Sequence, residues 1–149
     1  MLEAARDYAI IKILGFGDGG CNTVQGMAPC DVPGVELITI NSDATRFQCL
    51  CGVTPIELGN LNSLEASDQL LESIQGSDLL FLTAGMGGVT GTNVISAVAK
   101  IAQKIEIPLT IALVTEPFNS EGESRTVAAE NGISELAKTC RHINRFAMR

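Results

Sequence analysis

Apolar positions fall into short continuous runs separated by stripes of helical period, and their order predicts an α/β domain. Tyr8 to Leu14 is a β-rich apolar run, Val35 to Ile40 a second, and Leu79 to Ala84, entered through Asp78, a third. Pro108 breaks the chain before Leu109 to Thr115, a nearly uninterrupted run that suits a central parallel strand covered on both faces. Between these runs the period lengthens. Cys21 to Met27 reads as a short helix, and in Leu64 to Ile74 the apolar Leu64, Leu70, Leu71 and Ile74 oppose a solvated face of Glu65, Asp68 and Glu72. Val94, Ile95, Val98, Ile101, Ala102 and Ile105 recur at helical spacing, as do Ala129, Ile133, Leu136, Ala137 and Cys140. The expected fold is a three-layer, Rossmann-like α/β domain with a mostly parallel sheet and its ligand loops at the strands' carboxyl ends.

Two strand-to-helix junctions are built from glycine. The third strand runs into Gly85, Met86, Gly87, Gly88, Val89, Thr90, Gly91, Thr92 and Asn93. Such a loop lets backbone approach a ligand closely, and the free amides of the following helical turn attract an anion, most naturally a phosphate. Without a lysine it is not the Gly-x-x-x-x-Gly-Lys-Ser/Thr loop, although Thr90 and Thr92 offer hydroxyls to phosphate or to metal-bound water. A tight turn capped by Thr92 or Asn93 is the simpler reading, but four glycines between 85 and 91 exceed what a turn needs. The first strand likewise ends in Gly15, Phe16, Gly17, Asp18, Gly19 and Gly20. Gly15, Gly17 and Gly20 satisfy Gly-x-Gly-x-x-Gly, with Asp43 placed as a ribose-binding acid. A dinucleotide site is disfavoured, because Asp18 puts a carboxylate where pyrophosphate would sit and the second glycine loop has no place in it.

Composition narrows the partners. The chain has 149 residues, read as a single domain, with 10 Lys and Arg against 17 Asp and Glu, a net charge of -7. That balance excludes nucleic-acid binding that rests on phosphate neutralisation, so an anionic ligand must be held locally by amides and a cation. No apolar stretch reaches the length of a membrane span, and Met1 to Asp7 lacks the regions of a secretory signal, which points to the cytoplasm. Five scattered cysteines suit reduced thiols better than a disulfide framework. A zinc set of Cys49, Cys51, Cys140 and His142 has poor ligand spacing.

The run at 85–93 closely resembles the tubulin/FtsZ signature loop Gly-Gly-Gly-Thr-Gly-Thr-Gly, with Val89 and Asn93 in place of two glycines. Other blocks match in order. Gly15, Gly17, Gly19, Gly20 and Asn22 occupy the family's opening glycine run, from which Asp18 departs. Asn41, Ser42, Asp43 and Ala44 resemble its Asn-Thr-Asp-Ala segment, although Ser42 or Asp43 as a helix cap explains them equally well in isolation. Thr115 to Arg125 resembles Thr-x-Pro-Phe-x-Phe-Glu-Gly-x-x-Arg, where Ser120 replaces an aromatic or apolar residue. By spacing alone Glu121 and Arg125 make an exposed intrahelical ion pair; the block around them implies contacts to sugar and purine. The family's Gly-Ala-Gly loop is missing or rebuilt between Cys51 and Leu64.

The resemblance covers about residues 8–138 and corresponds to the nucleotide-binding half of an FtsZ. It implies GTP or GDP with Mg²⁺, bound through Gly17, Asp18, Gly19, Gly20, Asn22, Asn41, Asp43, Gly85, Gly87, Gly88, Val89, Thr90, Gly91, Thr92, Glu121 and Arg125. The family's guanine-contacting Asn, the Asp of its central helix and the acidic loop of its second domain have no assignable equivalents, so no catalytic residue or protein metal ligand is assigned. The implied role is docking on full-length FtsZ, or self-association, through the nucleotide face as a filament cap or co-assembly regulator, with weak or in-trans hydrolysis at most. A nucleotide-free interaction domain descended from FtsZ is the alternative. The divergent end, 139–149, is expected as a basic tail or helix on which Lys138, Arg141, Arg145 and Arg149 share a face.

Overall fold

The computed structural model describes residues 8–48, 51–59 and 63–147. In chain order the elements are β1 (Ile11–Phe16), α1 (Gly17–Met27), β2 (Val35–Asn41), β3 (Val53–Glu57), α2 (Ser63–Ile74), β4 (Leu79–Gly85), α3 (Val89–Lys104), β5 (Leu109–Glu116), α4 (Glu123–Ala137) and β6 (His142–Ala147). The six strands form one sheet in the order β3-β2-β1-β4-β5-β6, and every pairing is parallel. Right-handed crossovers send α1 to one face and α2, α3 and α4 to the other, giving three layers. Helix contacts agree: α1 packs on β1, β2 and β4, and α3 lies between α2 and α4.

Register levels the strand ends. Phe16 pairs with Ile40 and Ala84, and Gly85 with Thr115, so β1, β2, β4 and β5 deliver their carboxyl ends to one rim. The core beneath it joins Leu14, Phe16, Ile40, Leu80, Leu82, Ala112 and Val114 of the strands to Leu70, Ile74, Ile95, Val98 and Leu136 of the helices. At β1–α1 the chain turns from strand to helix without a linker, through Gly17 at φ +69°. Helix α1 sits unusually close to the sheet: a Cβ on Gly15 would lie 2.2 Å from the Gly20 carbonyl oxygen, and one on Gly20 2.4 Å from that of Thr83.

Three expectations change. Val53–Glu57, within the stretch where the family's loop is missing or rebuilt and no strand is expected, is edge strand β3, and its Pro55 is tolerated there because an edge strand leaves one side unpaired. The α4 helix ends at Ala137, and His142–Ala147 pairs along β5 as a strand, so Arg141 and Arg145 do not continue a basic helical face. The open edge of β5 offers hydrogen bonds that a helix there would leave unmade, and Ile143 packs against the core. Lys138 bonds Glu135 at 2.8 Å, Arg145 bonds Glu130 at 2.7 Å and pairs with Glu116, and Arg149 lies outside the described residues. Strand β5 is covered fully on one face only: Ala112 and Val114 are buried, whereas Ile111 and Leu113 are half-buried.

The zinc set does not assemble. Cys51 precedes β3 at one sheet edge, Cys140 and His142 lie at the opposite edge, and Cys49 is outside the described residues. Among the described residues no group of three or more His, Cys, Asp or Glu could hold a metal, and no helix is long and apolar enough to cross a membrane.

Candidate functional site

Strand order reverses between β1 and β4, and a cleft of about 390 Å³ opens at that point, beyond the strands' carboxyl ends. Four loops line it. The β1–α1 junction gives Phe16, Gly17, Asp18 and Gly19; the segment after β2 gives Asn41, Ser42, Asp43 and Arg46. The β4–α3 loop gives Gly85, Met86, Gly88, Val89, Thr90 and Gly91, and the segment after β5 gives Thr115, Glu116, Pro117, Glu121 and Arg125.

Both α1 and α3 begin at this cleft, and neither N-terminus is capped by a hydrogen bond from the side chain of its N-cap residue, Phe16 or Gly88. Their first-turn amides are donors without intrahelical partners, and both dipoles favour negative charge in the same space. Two helix starts on one glycine-walled cleft make an anion cradle. Ser42 Oγ and Thr90 Oγ1 lie 3.0 Å apart, a hydroxyl contact that joins the β2 side of the rim to the start of α3.

Twelve of the sequence-derived residues are brought together on the lining: Gly17, Asp18, Gly19, Asn41, Asp43, Gly85, Gly88, Val89, Thr90, Gly91, Glu121 and Arg125. Four stand behind it or beside it. Gly20 packs on the Thr83 carbonyl, Asn22 is exposed farther along α1, and Gly87 approaches the Arg125 backbone. Thr92 is buried toward α4, against Gly132, and its Oγ1 accepts a 3.0 Å hydrogen bond from the Gly87 amide, so it fixes the loop from beneath.

Charge in the cleft is mixed. Asp18 accepts a 2.9 Å hydrogen bond from Asn41 Nδ2, and Arg46 Nε lies 3.7 Å from Asp18 and 3.8 Å from Asp43. The Thr45 hydroxyl and amide both donate to Asp43, at 2.7 and 2.9 Å, and with smaller help from Arg46 they hold its carboxyl below the usual range. On the far side Arg125 pairs with Glu121 at 3.9 Å, while Glu121 also accepts from the Phe118 amide. Behind the β1–α1 turn, burial pushes the Cys21 thiol up to about 11, and the thiol donates to the Ile40 carbonyl.

Asp18, Asp43, Glu116 and Glu121 thus face two guanidiniums, Arg46 and Arg125, and no lysine lines the cleft. A polyphosphate held here would draw on amides, an added cation and a guanidinium released from its carboxylate partners. The oxygen donors present, Asp43 and the Ser42 and Thr90 hydroxyls, suit a hydrated Mg²⁺ shared with phosphate rather than a protein cage. Sequence reasoning overlooked Arg46; its one local signal was its position three residues after Asp43. Glu116 and Thr115 lay inside a matching block without being singled out as site residues, and Ser42 was weighed as a cap.

Comparison with known proteins places this geometry. The family description "Tubulin/FtsZ family, GTPase domain" matches residues 51–146. The cell division protein FtsZ of Buchnera aphidicola subsp. Baizongia pistaciae is 40% identical over 150 residues, covering 89% of this chain and 38% of that protein. The FtsZ of Azotobacter vinelandii is 39% identical over 154 residues, covering 93% and 39%. Among solved structures, an empty FtsZ dimer from M. jannaschii superposes with a TM-score of 0.83 at 28% identity, over 94% of this chain and 45% of that one. GDP-bound CetZ1 from Haloferax volcanii shares the fold, with a TM-score of 0.75 at 19% identity over 92% and 50%. The chain therefore spans about two-fifths of the length of the curated relatives it matches.

Proposed function

The chain belongs to the tubulin/FtsZ family, and from that premise we propose that it is a cytoplasmic guanine-nucleotide-binding domain tied to bacterial cell division, holding GTP or GDP with Mg²⁺ in the cleft between β1 and β4. One observation carries the reading: the starts of α1 and α3, both without a cap from the N-cap side chain, converge with Thr90 on a single cleft that has no lysine. Gly17, Gly19, Gly88 and Gly91 line the cleft without side chains and would leave room for the phosphates, and Glu121 and Arg125, also on the lining, would contact sugar and base. Asp43 and the Thr90 hydroxyl would hold Mg²⁺ through its waters, and the ion would add to the positive charge that Arg46 and Arg125 bring to the lining.

Hydrolysis by this chain alone is weak or nil. Attack on a γ-phosphate needs an oriented water, and Glu116 and Glu121, the carboxylates on that side, are tied to Arg145 and to Arg125 with the Phe118 amide. In this reading the cleft face docks on a complete FtsZ, or on a second copy, and a 149-residue chain bound there caps or modulates the filament while the partner acts on the nucleotide. The test is sedimentation of FtsZ filaments with this protein present. Co-sedimentation and shortened filaments, both reduced by Thr90→Ala, are expected; neither effect at equimolar protein would refute docking.

A second reading, a nucleotide-free interaction domain, is favoured by Asp18, whose carboxylate already occupies the α1 start and bonds Asn41. It predicts FtsZ binding that is indifferent to Thr90→Ala and to removal of nucleotide.

A further inference from the structure

We infer that Arg46 is a phosphate-binding residue of the cleft, held in reserve by Asp18 and Asp43, and that the Asp18–Arg46 pair sets how tightly the site holds a nucleoside di- or triphosphate; this rests on the nucleotide-site reading above. Arg46 closes the short helical turn Ala44–Arg46 after β2 and lines the cleft. Its Nε stands 3.7 Å from Asp18 Oδ1 and 3.8 Å from Asp43 Oδ2, so one guanidinium lies between carboxylates from two separate loops. Both distances exceed hydrogen-bond length, which makes these contacts ion pairs without a fixed geometry. The Arg46 and Asp18 side chains are 58% and 61% exposed. Pairs this open are weakly held and readily exchanged.

Asp18 occupies the first turn of α1, where the dipole favours an anion, and the Asn41 amide steadies it there at 2.9 Å. It is the anion of the free site, and Arg46 is its counter-ion. A polyphosphate brings more charge and more acceptor oxygens to the same amides. It takes over the guanidinium, whose planar fork suits two phosphate oxygens, and leaves Asp18 to solvent. The second cation, Arg125 in the first turn of α4, is paired with Glu121 of the same segment, so the two arginines reach the ligand from different sides of the cleft.

The pair thus exerts two separable effects: Asp18 opposes phosphate, and Arg46 both neutralises Asp18 and binds phosphate directly. GDP titrations in Mg²⁺ on the wild-type chain, Asp18→Asn, Arg46→Ala and the double variant resolve them. Asp18→Asn should tighten GDP, and Arg46→Ala should weaken it by about tenfold or more in either background, the order expected for a hydrogen bond to a charged group. Arg46→Lys, which keeps the charge and loses the fork, should fall between wild type and Arg46→Ala. Equal binding by wild type and Arg46→Ala overturns the inference. So does equal binding by Asp18→Asn and the double variant, since Arg46 would then only neutralise Asp18. Failure of the folded wild-type chain to bind GDP overturns the nucleotide-site reading as well, which separates the two failures.

Discussion

Replacing Gly15 with alanine tests whether α1 is seated on the sheet as described, because the clash it makes is with backbone. The new Cβ would lie 2.2 Å from the Gly20 carbonyl oxygen, 2.6 Å from its carbon and 2.7 Å from Val24 Cγ2. Comfortable separations are about 3.5 Å or more, so α1 must lift by roughly an ångström. No rotamer change relieves a carbonyl, and Gly20 is itself pressed on the Thr83 carbonyl, so lifting the helix disturbs two strands at once. Overpacking costs about 1–3 kcal/mol, and a clash with backbone belongs at the top of that range. At 2–4 °C per kcal/mol for a domain of this size, the melting temperature should fall by about 6–12 °C. The control is Gly26→Ala on the same helix, where nothing lies within 4 Å of the added Cβ. Relief of backbone entropy there should stabilise the chain by about 0.5–1 kcal/mol. Urea denaturation of the two variants and wild type, with matched m-values, reads the opposite signs. A Gly15→Ala variant as stable as wild type would refute the close seating of α1.

Lys12, nearly buried in β1, donates to the Ser73 and Gln75 carbonyls at 2.9 and 3.2 Å and so closes the C-terminal end of α2; Lys12→Met should cost about 1–2 kcal/mol in urea denaturation, with a local loss of amide protection at 70–75. Cys21, buried, should resist alkylation at neutral pH while exposed Cys30 and Cys51 react at once, as read by peptide mass mapping. Its thiol is pushed from 9.0 up to about 11 in the folded chain, so the unfolded chain ionises first: stability is intact below pH 9 and falls by roughly 3 kcal/mol between pH 9 and 11. That decline should be smaller in Cys21→Ala, where buried Cys140, its thiol also raised by burial, still contributes.

What the sequence made legible follows from where its signals were local. Strands β1, β2, β4 and β5 are apolar runs, and the helices carry their stripe within a dozen residues, so each could be read without the rest of the chain. Strand β3 could not: Pro55 argues against a strand, and most of the segment is not fully buried. Strand β6 is exposed at most positions, and in the sequence Arg141, Arg145 and Arg149 at four-residue steps imitate a helical face, while the partners of Arg145, Glu116 and Glu130, lie on β5 and α4. The site divides in the same way. Glycine loops are contiguous and were visible, whereas Arg46 has meaning only once folding brings β2's end to the start of α1 and Asp18. Thr90 and Thr92 offer the same hydroxyl in the sequence, yet only Thr90 lines the cleft; each step along a helix rotates a side chain by about 100°, and Thr92 faces the α4 interface.

The central claim is that the cleft between β1 and β4 is a working nucleotide site. Isothermal titration of the purified chain with GTP, GDP and ATP in Mg²⁺, after any co-purified nucleotide is removed, tests it most directly. Saturable binding of GTP and GDP is expected, weakened when Mg²⁺ is chelated and again in Thr90→Ala. No binding up to millimolar nucleotide by the folded chain would contradict it.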